Sequence, residues 1–174
     1  MPESRLQQSF FTRDVLAVAP EILGNYLVRK FDDGFIYKFL ITEVEAYRGE
    51  EDLACHASKG KTARTEIMYH EGGHLYVYLI YGMYWMLNIV TGTINNPQAI
   101  LIRGIQHFDG PGKLTKHLKI DKSFYGENLI SSDRIWIEPN INTLNVKYTT
   151  SPRVGIDYAG EIWKNKPWRY ILTD

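Results

Sequence analysis

The chain has 174 residues and a formal net charge of zero. Its side chains are 44% hydrophobic and 23% charged, which is ordinary for a globular protein. This composition excludes disorder as the main state of the chain. Domains most often hold roughly 100–200 residues, so we expect one domain over residues 1–174. A chain of this length can bury about 70% of its unfolded surface and needs no disulfide or metal to fold. The single cysteine, Cys55, excludes an intramolecular disulfide framework and a cysteine-rich zinc module.

The first predicted elements are helical. Thr12 is a candidate N-cap, with the acidic Asp14 in the turn that follows it. Pro20 can open a second short helix, which Gly24 can close. A hairpin follows, in which the strand-like residues 25–31 and 35–47 flank the turn residues Asp32, Asp33 and Gly34.

Strands dominate the rest of the chain. Residues 74–81 and 84–90 alternate as a second hairpin with Gly82 in its tight connection, and residues 99–105 form another strand. Residues 110–120 are typical of a turn that leads into a short basic helix. The C-terminal strand predictions are residues 134–139, 153–156 and 169–173. We therefore predict an α+β fold with a mostly antiparallel β-sheet, short flanking helices and a protruding hairpin.

Residues 42–47 (TEVEAY) carry the first candidate site. Side chains alternate faces along a strand, so Glu43, Glu45 and Tyr47 share one face. An exposed strand face with cationic neighbours is one interpretation. The functional interpretation is a carboxylate whose pKa is raised by burial and which acts as a general base on water, and a glycosidase-like pair of carboxylates is compatible too.

Residues 70–74 (HEGGH) match the HExxH pattern of zinc hydrolases. That pattern binds zinc only on a helix, where His70 and His74 share a face, whereas Gly72 and Gly73 each cost about 1 kcal/mol in a helix interior. A strand-like run follows directly. We therefore expect a turn before a strand and no zinc, with a metal-dependent hydrolase that uses the two histidines as the alternative.

Five of the twelve tyrosines fall within residues 69–84, on or beside the second predicted hairpin. Cross-strand packing explains aromatic residues in strands, and a platform on which bases stack is the alternative. Tyr81 stands at the hairpin tip, where burial does not explain it. It is a candidate wedge into a base stack.

Residues 110–114 (GPGKL) superficially suggest a phosphate-binding loop. They lack the GxxxxGK[ST] spacing, so ATP hydrolysis is not supported. Backbone amides at the helix start beside Lys113 could still hold a single phosphate.

Charge is unevenly spread along the chain. Residues 1–57 hold 6 basic and 10 acidic side chains, whereas residues 58–125 hold 8 basic and 4 acidic ones. Chance segregation on a solvated surface is one interpretation, and a polar molecule with one basic face is the other.

Two observations bear on location. The first ten residues lack the apolar core of a secretory signal, and the apolar residues 75–90 are too few to span a bilayer. We expect a cytoplasmic protein, associated with the nucleoid in a bacterium, with no membrane partner.

A combined pattern runs through residues 42–58, 72–90, 101–105, 110–114, 153–161 and 166–172. In this order the segments resemble the eukaryotic-type 3-methyladenine (alkyladenine) DNA glycosylases, monofunctional base-excision enzymes that also occur in bacteria. The resemblance implies a curved antiparallel sheet and a monomer that needs no cofactor or metal. It further implies flipping of damaged purines (3-methyladenine, 7-methylguanine, hypoxanthine, ethenoadenine) out of double-stranded DNA, then hydrolysis of the N-glycosidic bond without strand cleavage.

The resemblance also assigns roles to residues. Glu45 matches the general base that activates the attacking water, and Arg103 and the backbone of Val154 match groups that position that water. Asn88 matches a position that discourages ordinary guanine, and Tyr81 matches the hairpin-tip residue that fills the gap left in the duplex. Three further residues match family residues that enclose the flipped base and stack on it: Tyr47, His56 and Tyr78.

Two features depart from the family's pattern. Residues 62–65 are TART where the family has a TPRN-like stretch, and Cys55 occupies a position beside the pocket that is often alanine. The ranking of substrates stays open. A non-catalytic protein that binds damaged DNA is a further alternative.

Overall fold

In the computed structural model, which describes residues 4–143 and 145–174, nine β-strands form a sheet accompanied by short helices. The strands are β1 (Tyr26–Lys30), β2 (Ile36–Arg48), β3 (Leu75–Ile80), β4 (Tyr84–Thr91), β5 (Gln98–Ile105), β6 (Phe108–Asp109), β7 (Ile135–Glu138), β8 (Lys147–Ser151) and β9 (Arg169–Thr173). The α-helices are α1 (Gln8–Phe11), α2 (Val15–Ile22), α3 (Pro111–His117) and α4 (Gly160–Lys164). The connections contain 3₁₀ helices at His56–Lys59, Glu66–Tyr69, Lys122–Phe124, Ile141–Thr143 and Asp157–Ala159. Within the described ranges, no helix is long and apolar enough to cross a membrane.

The strands pair antiparallel in the order β3–β4–β5–β2–β1–β7. Strand β6 pairs with β5, and β9 lies between β2 and β8. The predicted α+β fold with a mostly antiparallel sheet is therefore confirmed. Both predicted hairpins are present, as β1–β2 and β3–β4.

Strand β2 is the longest and joins two parts of the sheet. Its first half, up to Leu40, pairs with β1. Its second half pairs with β5 along one edge and with β9 along the other. Register shifts on either side of Glu43 mark this change of partners. A bulge bends a strand and re-aims its side chains, and this one lies directly before Glu45.

Helix α2 packs on one face of the sheet. Its buried residues Val15, Val18, Ala19 and Ile22 follow the i, i+3, i+4, i+7 spacing of an amphipathic helix. The same core contains alternate residues of four strands: Val44, Ala46, Leu75, Val77, Leu87, Ile89, Ile100 and Ile102. Because side chains alternate along a strand, the residues between them, among them Glu45, Tyr76 and Asn88, belong to the opposite face. That opposite face holds the candidate site.

The helix boundaries predicted from Thr12 and Pro20 are wrong. Asp14 is the N-cap of α2, because its carboxylate accepts a hydrogen bond from the Leu16 N–H at 2.9 Å, whereas Thr12 ends α1. Pro20 lies inside α2. The buried apolar stripe continues past Pro20 to Ile22, and its burial outweighs the one hydrogen bond that a proline lacks.

The C-terminal strand predictions are confirmed in part. Residues 134–139 and 169–173 contain β7 and β9. Residues 153–156 are not a strand but contain a turn, in which Gly155 has a left-handed backbone with a φ of 72°. Strand β8 was not predicted, since its residues are polar, mostly exposed and without alternation.

The β3–β4 hairpin turns at residues 81–83, where Tyr81 and Gly82 are both left-handed, with φ of 51° and 64°. Helix α3 packs against the start of β4, next to this turn, where the Thr115 hydroxyl donates to the Trp85 carbonyl at 2.8 Å. Gly112 lies so close to the Tyr84 ring that a Cβ there would stand 2.7 Å from it. The Tyr81 side chain is 87% exposed, so the predicted exposed tip is confirmed.

Candidate active site

Glu45 is fully buried on the sheet face opposite the α2 core. Its Oε1 accepts a hydrogen bond from the Tyr47 hydroxyl at 2.9 Å, and its Oε2 accepts one from the Val154 backbone N–H at 2.6 Å. The Nη1 of Arg103, on β5, lies 3.8 Å from Oε1. The fold thus brings four of the predicted site residues together from three separate parts of the chain.

Burial raises the pKa of Glu45 above its ordinary value, because an ionised carboxylate loses hydration there. Arg103, the Val154 N–H and the Tyr47 hydroxyl oppose this rise, since each stabilises the ionised form. The exposed-face interpretation of Glu45 is therefore wrong. A buried carboxylate with a raised pKa and a fixed orientation is suited to take a proton from water.

Glu43 has a different environment from Glu45, although the two are neighbours on β2. Its Oε1 accepts a hydrogen bond from Arg169 Nη1 at 2.7 Å and lies 3.7 Å from Arg103 Nε. The buried Nε of Arg103 has no hydrogen-bond partner among the described residues. Arg103 therefore stands between two carboxylates, only one of which is fully buried.

A buried ion pair anchors the loop that contains Val154. The Arg153 and Asp52 side chains have no exposed surface, with Nη1 2.6 Å from Oδ2 and Nη2 3.0 Å from Oδ1. Arg153 Nη1 also donates to the Ala46 carbonyl of β2 at 3.0 Å. Neither partner was predicted, because they lie 101 positions apart and nothing in the local sequence connects them.

Tyr47 also lines a pocket in which five of the ten lining residues have aromatic rings, and we call it the aromatic pocket. The predicted base-pocket residues His56, Tyr78 and Asn88 line it as well. The His56 and Tyr78 rings meet edge to face, with their centroids 4.6 Å apart. The other lining residues are Ala54, Cys55, Met68, Tyr76, Ala99 and Tyr158. A wall of this composition suits a flat aromatic ligand.

Polar side chains inside the pocket are held in place. Asn88 is buried, and its Nδ2 donates to the Tyr76 carbonyl at 3.1 Å. The Nδ1 of His56 lies 2.7 Å from the Tyr76 hydroxyl. Burial, together with the charges of Arg64 and Lys59, lowers the pKa of His56 to about 4. The imidazole is therefore neutral at neutral pH.

Both departures from the family's pattern lie at this pocket. Arg64, within residues 62–65, holds its guanidinium over the Tyr78 ring, with 4.9 Å between Cζ and the ring centroid. The Cys55 thiol is buried, which raises its pKa to about 12, so it lines the pocket as a neutral group.

The low pKa of His56 predicts a loss of stability in acid. The unfolded chain binds a proton near pH 6.5, but the folded protein binds it only near pH 4, so the free energy of unfolding falls as the pH drops between these values. We expect this group to account for about 2 kcal/mol. Urea unfolding at pH 7 and pH 4.5 measures it. His56→Gln should lose less stability than the wild type over this range, and parallel losses would contradict the prediction.

Two predicted residues belong neither to the pocket lining nor to the group around Glu45. Tyr81 stands at the hairpin turn, and Lys113 is exposed in the first turn of α3. A role for either in this protein therefore requires a ligand that extends beyond the pocket.

Residues 70–74 form a turn that leads to β3, as predicted, and not a helix. A Cβ on Gly72 would stand 2.2 Å from the Phe11 carbonyl oxygen, and Gly73 has a φ of 107°. Close approach to α1 and a left-handed backbone therefore explain the paired glycines. The His70 and His74 rings are 5.6 Å apart, but the described residues contain no group of three side chains that could hold a metal ion.

Comparison with known proteins gives a consistent result. A family model described as Methylpurine-DNA glycosylase (MPG) matches residues 9–109 and 106–174. A protein of Borreliella burgdorferi (strain ZS7) named "Putative 3-methyladenine DNA glycosylase" is 42% identical over 181 residues, which cover 97% of this chain and 96% of the relative. Proteins of the same name from Psychrobacter cryohalolentis and Legionella pneumophila (strain Corby) are 40% and 42% identical, and the matches cover 98% of this chain and 93% and 95% of the relatives.

Proposed function

The chain belongs to the methylpurine-DNA glycosylase family, and we propose on that basis that it flips alkylated or deaminated purines out of double-stranded DNA and hydrolyses their N-glycosidic bonds. Family membership supports a DNA glycosylase of base excision repair. The substrates we propose are 3-methyladenine, 7-methylguanine, hypoxanthine and ethenoadenine. The observation that carries the proposal is the buried Glu45 carboxylate, held by Tyr47, which itself lines the aromatic pocket.

Glu45 is the proposed general base. It takes a proton from a water molecule whose oxygen bonds to the sugar C1′, while the C1′–N bond breaks and its electron pair leaves with the base. In a cationic base such as 3-methyladenine this pair neutralises the positive charge. Arg103 and the Val154 backbone are the proposed water-positioning groups. The 3.8 Å from Arg103 Nη1 to Glu45 Oε1 is too long for a direct hydrogen bond and suits a bridging water.

The pocket is the proposed binding site for the flipped base. Tyr47 and Tyr78 offer π-faces, and a cationic purine stacked on them gains cation–π attraction that a neutral base lacks. Because His56 is neutral at neutral pH, it adds no repulsion. Asn88, fixed by its bond to the Tyr76 carbonyl, is proposed to discourage guanine through the exocyclic amine of that base.

Contacts outside the pocket complete the proposal. Tyr81 fills the gap that the flipped nucleotide leaves in the duplex, and Lys113 contacts a phosphate from α3. The enzyme acts as a monomer of one domain over residues 1–174, in the cytoplasm and at the nucleoid of a bacterium.

The direct test is base release. Duplex DNA treated with a methylating agent is incubated with the protein, and the released bases are separated by chromatography. We expect free 3-methyladenine and 7-methylguanine, and a DNA strand that breaks only after alkali, because no Schiff-base lysine is proposed. Tight binding of damaged duplex without base release would favour a non-catalytic DNA-binding protein instead.

Metal removal is a separate prediction. We expect excision to be the same in EDTA as without it, and elemental analysis to find far less than one zinc per chain. The physical reason is that residues 70–74 form a turn and not the helix that an HExxH site requires. About one zinc per chain, together with loss of activity in EDTA, would support the metal-dependent hydrolase.

A further inference from the structure

Two arginines hold the loop that contacts Glu45, one from each side. Arg169, on β9, donates through Nε to the Pro152 carbonyl and through Nη2 to the Ser151 hydroxyl, both at 3.1 Å. Arg153 extends in the other direction, to Asp52 and to the backbone carbonyls of Ala46 and Trp163. The next backbone N–H along the chain is that of Val154, and it bonds to Glu45.

Asp52 is held as firmly as Arg153. Its carboxylate also accepts hydrogen bonds from the backbone N–H groups of Arg48 and Ala54, each at 3.0 Å. Ala54 lines the aromatic pocket. The ion pair therefore joins the pocket wall on one side to the Glu45 loop on the other.

We propose that the Asp52–Arg153 ion pair is a positioning device for Glu45: it fixes residues 151–156 so that the Val154 N–H stays on the carboxylate and aims it. The proposal rests on the proposed role of Glu45 as the general base. Arg153 and Asp52 are positioning residues: they act on Glu45 through the Val154 backbone and the charge of Arg153, and no contact with the reacting atoms is proposed for them.

The burial of the pair supports a role beyond joining two loops. Both charges lose their hydration, and apolar side chains of the same volume often join buried segments with equal or greater stability. Apolar contacts do not fix the orientation of a backbone as a bidentate guanidinium does. The guanidinium also contacts two rings, with Cζ 4.9 Å from the Tyr47 centroid and 5.0 Å from that of Trp168.

The consequence is measurable through the protonation of Glu45. The groups that face it are Tyr47 on its own strand, Arg103 on β5, Tyr78 on β3, Arg153 and Val154 in the loop, and Tyr158 beyond the loop. The Val154 N–H and the Arg153 charge both favour the ionised carboxylate. If the loop is loosened, the Val154 N–H moves away from the carboxylate and the influence of the Arg153 charge weakens. The pKa of Glu45 then rises further.

The experiment compares the pH dependence of single-turnover excision in the wild type, Arg153→Lys and Asp52→Asn. Lysine keeps the charge but not the bidentate geometry, and asparagine keeps the shape but not the charge. We expect the acid limb of the pH–rate profile to move to higher pH by about one unit in both variants, so that excision at any pH below the wild-type limb is lowered by roughly ten-fold. Glu127→Gln, which breaks an ion pair with Arg134 elsewhere, is the matched control and should not move the limb.

A merely structural role would lower the stability of the two variants and leave the acid limb in place, and that result would overturn the proposal. If neither variant folds, hydrogen exchange in the wild type decides. The Val154 amide should exchange slowly, although the residue is 46% exposed, and fast exchange would overturn the proposal as well. A wild type that releases no base at any pH contradicts the proposed function itself, and it does so before any variant is made.

Discussion

Replacing Glu45 by glutamine should lower single-turnover excision by about 10²-fold or more, while binding of damaged duplex survives. Glutamine keeps the shape of the side chain and can still accept a hydrogen bond in the buried position. It has no basic oxygen to take the proton of the attacking water. Single-turnover base release, measured beside the affinity for the same duplex, tests the prediction. Unchanged excision would show that Glu45 is not the general base.

Glu43→Gln is the matched control on the same strand. Its effect should be much smaller, because Glu43 is bonded to Arg169 at 2.7 Å and a glutamine oxygen can accept that bond too. A loss as large as that of Glu45→Gln would mean that the two carboxylates act as a pair, which is the glycosidase-like alternative.

The pH dependence follows from the direction of the Glu45 shift. The ionised carboxylate is the active form, so excision rises with pH through the pKa of Glu45 and is lost below it. Because burial raises that pKa, the increase of excision with pH comes at higher pH than it would for an exposed glutamate.

The raised pKa of Glu45 also affects folding. As the pH rises and Glu45 ionises, the free energy of unfolding falls, because the folded protein holds this proton more tightly than the unfolded chain does. The Tm of Glu45→Gln at neutral pH should therefore be no lower than that of the wild type. If its Tm is much lower, the lost activity is explained by misfolding.

Replacing Tyr81 by alanine should weaken the flipped complex by roughly 1–3 kcal/mol, the range for losing one base–aromatic stack. The side chain is 87% exposed at the hairpin turn, where it is free to enter a duplex. Because it is exposed, the same change should alter folding stability by no more than about 0.5 kcal/mol. Thermal unfolding of the variant, beside excision kinetics on duplex with one ethenoadenine or hypoxanthine, measures both effects.

Met83→Ala is the control for this prediction, since Met83 is 64% exposed on the same turn. It should have the smaller effect on flipping, because the base-stacking ring is at Tyr81. A large loss of stability in Tyr81→Ala with unaltered flipping would show that the ring has a structural role instead.

Most of the strands, including the one that carries Glu43 and Glu45, could be predicted from the sequence because their signals are local. Alternation of apolar residues located both hairpins, and it placed Glu43, Glu45 and Tyr47 on one face of β2. The boundaries of the first helices were predicted wrongly. A threonine and an aspartate two positions apart are both acceptable caps, and only the packing of α2 selects Asp14.

What residues 42–47 could not reveal is that their two glutamates have different environments. Glu45 is buried and bonded to a backbone N–H 109 positions away, whereas Glu43 is exposed in part and bonded to Arg169. Alternation along a strand assigns a side chain to a face, but it does not state what covers that face. The covering groups come from β5, β9 and the loop around Val154.

By itself, the sequence predicted the class of fold and the strand that carries the two glutamates, because periodicity and turn residues are properties of neighbouring positions. Its resemblance to a known family, spread over most of the chain, implied the aromatic residues of the pocket. Only the tertiary structure decided which carboxylate is buried, which backbone N–H it meets and which ion pair, Asp52–Arg153, holds that backbone in place. The physical reason is that burial and charge pairing depend on distances in space between residues about a hundred positions apart.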